Sequence, residues 1–545
     1  MTILAALILL LACTSEAAAD PGTIGLIVLS AVGASDVTLL TVGSATLSLS
    51  AVVGNVALTA ASLALAVGAN YLLAKPPEAQ ASTGQLTTRQ PTPSRRRAYG
   101  RVKVSGSTVF SEVKPITGSG QLTVFRVVTL NQGEIDAFEE FWLDDNHVLL
   151  TGGTSGLCDH YTLGPTPHLA MDSRRGLPTE TAYGTLVTNF GDPVWGANHR
   201  GDGVASVMLA ASQPVDQNNF TNVYPGATAP NPRCVMRACK VWDPRDNAQD
   251  KDDPSTWQWS DNPVLHALDF HRHPDGLNLA PFDLTLFTAS AIAEDWIPAA
   301  NICDEDVFGE ERYRCGGGYA IADDAPADVL ATILATCDGQ TYHRGDGGIG
   351  IRVGKTVAPT VVLDDKHILG YSELKKGDNI FLACNEVTAK FTSPDHDYQT
   401  IDAQPWRDEG DITERGTVLT KAIALPWVQS HSQARRLMKL AHARFNPRWQ
   451  GTIATDMAGL ACINERFVHV TISEGGLNLV NETFEIVPDS FQAIVGESGI
   501  RCTIGISSLD QTAFDWTAGE AGAPPPIPVE LASLAFDNDR LAAVA

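Results

Sequence analysis

A helix, a tight hairpin and an alternating strand follow one another between Ala325 and Phe391, and few architectures accept that succession. Ala325-Pro-Ala-Asp-Val-Leu-Ala-Thr-Ile-Leu-Ala-Thr-Cys-Asp-Gly339 puts Pro326 in the first turn, where its missing N–H is harmless. Val329, Leu330, Ile333, Leu334 and Cys337 then form one apolar stripe that stops at Gly339. Thr341-Tyr-His-Arg344 and Ile349-Gly-Ile-Arg-Val353 flank the glycine turn Gly345-Asp-Gly-Gly348, which permits positive φ and predicts a hairpin. Residues 385–391 alternate polar and apolar, as a strand with one wet face does.

The same alternation governs Tyr99 to Leu150, with glycines 106, 118, 120 and 133 as turns, so an antiparallel β domain is expected there. Gly152 to Arg200 reads as an irregular insertion, and strand character resumes at Val204–Ala210 and Cys234–Trp242. Asn262-Pro263 opens a helix through Val264, Leu265, Ala267, Leu268 and Phe270, and a second runs over Ala289–Ala300. Further strands are expected at 381–391, 416–423, 450–456, 466–473, 482–487 and 500–507, with one long helix from Ser432 to about Phe445.

The 545 residues carry a net charge of −25, and residues 1–110 alone sum to +3, so the body is strongly acidic. That argues against a sequence-reading DNA protein, whose affinity rests on Lys and Arg neutralising phosphates. It suits equally a wall past which DNA slides, or plain solubility. The ten cysteines include no Cys-x-x-Cys and read as buried reduced thiols.

No catalytic, cofactor or metal site is expected. The acidic stretch Trp242–Pro254 lacks the central glycine of a calcium loop, Gly316-Gly-Gly318 lacks the Lys-Ser/Thr of a phosphate loop, and His271 and His273 fall on different helical faces. Asp304, Glu305 and Asp364 are the carboxylates that a wall-degrading hydrolase would draw on, and they carry no catalytic signature. Two basic groups stand out instead as subunit or lipid contacts: Arg95, Arg96 and Arg97 after a Pro-rich linker, and Arg435, Arg436 and Lys439 on the long helix.

Residues 37–74 are apolar or small and carry no charge, a run long enough to cross a bilayer. Gly43, Ser44, Ser48, Ser50, Gly54, Ser62 and Gly68 interrupt it, and such residues let helices approach closely. A membrane anchor, an oligomeric apolar core and a conditional membrane insert remain as readings, with the last preferred. Met1–Ala19 imitates an export signal, and Leu10-Leu-Ala-Cys13 a lipoprotein box, but no Lys or Arg precedes the apolar run, so retention is expected.

Lys240-Val-Trp-Asp243, Trp259-Ser-Asp-Asn-Pro263, the helix, hairpin and Ser372-Glu-Leu-Lys375 order, and Ser432-Gln-Ala-Arg-Arg-Leu-Met438 occur in a consistent sequence. Over roughly Arg95 to Ser508 this resembles the tip attachment protein J family of lambda-like siphophages, the central tail-tip or baseplate hub proteins. The resemblance implies a mainly β fold with an α+β insertion. Its parts are an apolar helical leader (1–80), a linker (81–98), a tube-like antiparallel β hub domain (99–245, insertion 152–203), a small mixed α/β module (246–357), a second β hub domain (358–510) and a tail (511–545). It further implies a non-enzymatic homotrimer at the virion's tail tip, assembled in the host cytoplasm. Distal tail protein, tape-measure protein and other tip subunits are its expected neighbours, DNA passes without sequence recognition, and residues 20–75 are available to the host membrane. Relatives continue into receptor-binding domains, which residues 511–545 do not resemble, so direct receptor recognition is not expected of them.

Overall fold

The computed structural model describes residues 38–42, 45–48, 94–279, 286–377, 383–463, 465–474, 477–488, 490–496 and 499–527. The rest of the expected helical leader lies outside these. Within it, Thr38–Val42 and Ala45–Ser48 form a short antiparallel pair, so at these positions the Thr- and Leu-rich backbone is extended and not helical.

From residue 94 onward the alternating segments form strands. Arg96–Tyr99 (β1) is followed by Arg101–Val104 (β2), Ser107–Pro115 (β3), Leu122–Gln132 (β4) and Ile135–Leu143 (β5). Ser155–Leu157 (β6), Leu169–Arg175 (β7), Val204–Ser212 (β8) and Pro232–Val241 (β9) complete the first β unit. One sheet has the order β3-β4-β8-β7-β6, and a second is built on β9 between β5 and β2. β7 is therefore an integral strand of the wall, although its region reads as an irregular insertion. Leu169 and Met171 point into the core while Asp172 and Arg174 do not, an alternation too short to stand out. The inter-sheet core holds Val128, Leu130, Phe141, Leu169, Val207 and Met236, and the opposite face of β4 is covered by the short helix Gly184–Asn189 through Phe125 and Val127.

The central module begins with Pro263–Arg272 (α1), whose first turn is closed by Asn262 accepting from the Val264 N–H at 3.0 Å. The next helix runs from Ala289 to Cys303 but is loosened by a π turn at Ile292–Trp296, immediately before Pro298, which removes a helical N–H. Gly317–Ala320 (β10) pairs with β1, then Pro326–Ala335 (α2) leads to the hairpin Gln340–His343 (β11) and Ile349–Arg352 (β12).

The second β unit comprises Val361–Leu363 (β13), Ile368–Lys376 (β14), Glu386–Ser393 (β15), Gln399–Asp402 (β16), Thr420–Leu425 (β17), the helix His431–Phe445 (α3), Trp449–Thr455 (β18), Phe467–Glu474 (β19), Leu477–Ile486 (β20), Gln492–Gly496 (β21) and Gly499–Ser508 (β22). Its main sheet runs β13-β19-β20-β22-β18-β14, with β21 also on β22. β15 heads a separate small sheet with β16 antiparallel and β17 parallel to it.

Two relations in this arrangement bear on function. From one edge inward, β3-β4-β8-β7 and β14-β18-β22-β20 have the same spatial order, all antiparallel, although β3 and β4 are consecutive while the β15 sheet and α3 intervene between β14 and β18. The two edge strands also share a segment, Phe110-Ser-Glu-Val-Lys114 and Tyr371-Ser-Glu-Leu-Lys375. The core, by contrast, does not divide at residues 357 and 358. One cluster joins Phe270, Trp296 and Ile333 of the module to Val387, Phe391, Trp427 and Met438 of the β15 sheet and α3.

Candidate assembly surface

The basic groups singled out from the sequence are largely used up inside the molecule. Arg97 is buried on β1, where its Nη2 donates to Asp269 Oδ2 of α1 at 2.8 Å and its Nε to Tyr99 Oη at 3.3 Å. Tyr99 Oη donates to the same carboxylate oxygen at 2.7 Å. Burial by itself pushes the Asp269 carboxyl up, but the Arg97 guanidinium outweighs it and holds the group below the usual carboxylate range. Arg95 stays exposed, 3.7 Å from Asp275, and Arg96 is half-buried.

On α3, Ser430 caps the first turn, and Arg435 and Lys439 turn toward the segment 511–527. Arg435 donates to the carbonyls of Gln404 (2.9 Å), Pro405 (2.5 Å) and Glu520 (3.1 Å), and its guanidinium lies over Trp406. Arg436 reaches Glu310 Oε1 at 2.5 Å and the Arg312 carbonyl at 2.7 Å. Lys439 donates to the Asp515 carbonyl and to Glu520 Oε1. Phe514 packs beneath against Leu440 and Phe467. Arg97, Arg435 and Arg436 are thus buried and engaged within the chain. Their charges are desolvated within the chain and already answered by its own acceptors.

Arg444 and Arg466 meet Asp338 and Glu485 in a four-member cluster, with contacts of 2.5, 2.6, 2.9 and 3.0 Å. It ties the turn after α2 to α3 and to β20. The carboxylates considered for hydrolysis are likewise engaged: Asp304 with Arg245 and Asn262, Glu305 with Arg312 and Lys355, and Asp364 in the turn before β14. Among the described residues no group of three His, Cys, Asp or Glu side chains is placed to hold a metal, and the nine described cysteines are buried and unbridged.

Among the described residues, two long strands lie at sheet edges. Among the described strands, β3 pairs with β4 and β14 with β18. Val113 on β3 is 62% exposed and Leu369 on β14 54%. These edges, which sequence reasoning did not single out, were signalled by the recurrence of the Phe/Tyr-Ser-Glu-Val/Leu-Lys segment.

No protein-family model matches the sequence, and no curated protein matches it. Among solved structures, the chain is similar to one from the virion of a native gene transfer agent particle. The two are 14% identical, 86% of this chain and 98% of that one are covered, and the TM-score is 0.50. They share a fold. A tail protein from Neisseria meningitidis MC58 (10% identity, 77% and 99% coverage, TM-score 0.30) and the prophage MuSo2 43 kDa tail protein from Shewanella oneidensis (11%, 77% and 99%, 0.28) overlap less well.

Proposed function

We propose that this chain is a structural protein of a phage-type tail, stationed at the tail tip, where three copies close a ring that continues the tail tube. The observation that carries the reading is the repeated strand order: two antiparallel units in one chain give three copies six comparable wall segments. Closure also shelters sheet edges that would otherwise aggregate. The fold shared with a virion chain supports a particle role, and the acidic body supports passage of DNA and tape-measure protein without adhesion. In this reading the protein is a wall and not an enzyme, distal tail protein lies on one side, and residues 20–75 meet the host membrane at ejection. Native mass spectrometry and class averages of the full chain test it. Rings of three are expected, and a chain that stays monomeric at virion-assembly concentrations overturns the reading.

A further inference from the structure

We infer that Lys103 and Asp397 become covalently joined, the lysine amine condensing with the aspartate carboxyl to an amide that ties the first β unit to the turn between β15 and β16. The strand register builds the site. β9 sets Val235 opposite Lys103 of β2 on one side and opposite Glu140 of β5 on the other, and it sets Arg233 opposite Trp142. Arg233 stands two residues from Val235, so the pleat puts Lys103, Glu140, Arg233 and Trp142 on one face of this sheet. The turn after β15 brings Asp397 to that face. Asp397 and Tyr398 each have a φ of 57°, and the Tyr398 N–H returns to the Ser393 carbonyl at 2.8 Å.

Lys103 Nζ contacts Asp397 Oδ1, and Arg233 Nη1 lies 3.8 Å from Oδ2 of the same carboxyl. The lysine nitrogen also sits 3.4 Å from the centre of the Trp142 ring. Lys240, Lys251, Lys355 and Lys439 touch carboxylates too, but their side chains are 17–52% exposed, whereas that of Lys103 is 4% exposed. A lysine held this dry has lost the water that favours its charge. Burial pulls the ammonium below its usual range, against the opposing pull of Asp397. The neutral amine so favoured is the nucleophile that an amide needs.

The step balances without a co-reactant. The ammonium gives one proton to the carboxylate, the amine nitrogen attacks Cγ of Asp397, and a carboxyl oxygen leaves as water with a second proton from the nitrogen. An –NH3+ and a –COO− thus become –CO–NH– and H2O. Glu140, in the row of Lys103 and fixed beside the same indole by the Trp142 Nε1–H at 3.0 Å, is placed to carry the protons. Arg233 is placed to hold the negative charge that builds on Oδ2. The Asp397 side chain is 39% exposed, which leaves the water a way out. Well-oriented groups react as if at about 10⁵–10⁸ M, enough to offset the competition of bulk water.

The test is tryptic peptide mapping of the full chain by mass spectrometry. Acylated Lys103 resists trypsin and Lys114 precedes a proline, so the expected product is a branched peptide in which residues 102–126 carry residues 391–407. It should be lighter than the sum of its parts by one water. Lys103→Arg keeps the charge and should give no branch. Glu140→Gln should cut the branched fraction at a fixed time by at least about tenfold, with an unchanged thermal melt showing that the fold is intact. Separate peptides 104–126 and 391–407 recovered in full from the wild type, at once and after prolonged incubation, would mean an ion pair only and overturn the inference. Loss of water without a branch, as in a cyclised aspartate, overturns it too, and wild-type bonding in Glu140→Gln strikes Glu140 from the route. The bond lies within one chain, so its presence or absence leaves the ring reading to its own test.

Discussion

Asp338 receives guanidiniums from Arg444 and Arg466 at once, and Glu485 receives the same two. Burial pushes the Asp338 carboxyl up, but the two cations outweigh it and hold the group below its ordinary range. Its stabilisation is therefore present above the unfolded value, about pH 4, and is lost as pH falls through the depressed native value. Asp338→Asn is expected to cost about 3–5 kcal/mol at neutral pH, because it leaves two guanidiniums to share the single carboxylate of Glu485. The deficit against the wild type should shrink in urea titrations carried below about pH 4; a deficit independent of pH would show that packing alone is at work. At this scale the sequence revealed the charges but not their answers. Arg97 meets Asp269 across 172 positions and Arg466 meets Asp338 across 128, and no local pattern announces such distances.

Among the elements, those with a period were legible. The apolar stripes of α1, α2 and α3 and the alternation of β15, β18, β19 and β22 appear in the structure within a few residues of their expected limits. Elements held by contacts from elsewhere were not. β7 has two inward side chains, and residues 511–527 have no period at all, yet they seal the charged side of α3 with Phe514 and Trp516. Because Phe514 is nearly buried against Leu440 and Phe467, Phe514→Ala should cost about 3–5 kcal/mol. Differential scanning calorimetry would check this, and an unchanged melting temperature would mean that the segment only rests on the helix.

For the whole molecule, the shared core is the decisive feature. The sequence suggests a boundary near residue 358, where a module gives way to a β domain, but the side chains of Phe391, Trp427 and Met438 belong to the same cluster as Phe270 and Ile333. Cutting there exposes both halves of one interior. A piece carrying residues 358–527 alone is therefore expected to bind a hydrophobic dye and melt broadly, whereas residues 94–527 together give one sharp transition; a sharply melting 358–527 piece would contradict this. The likeness in strand order between the two walls concerns their sheets and does not make them separable bodies.

The backbone passes from β1, laid against β10 and pinned to α1 by Arg97, straight through Gly100 into the first wall. Gly100 has a φ of +66°, and a Cβ there would lie 2.1 Å from the Cys315 carbonyl oxygen. A pull delivered at Ser94 is thus met at a single strand by the central module, through β10 and Asp269, and by the first wall, through the Ala98 N–H on Asn131 Oδ1 of β4. Whatever draws on the line upstream, the mooring divides the load between module and wall.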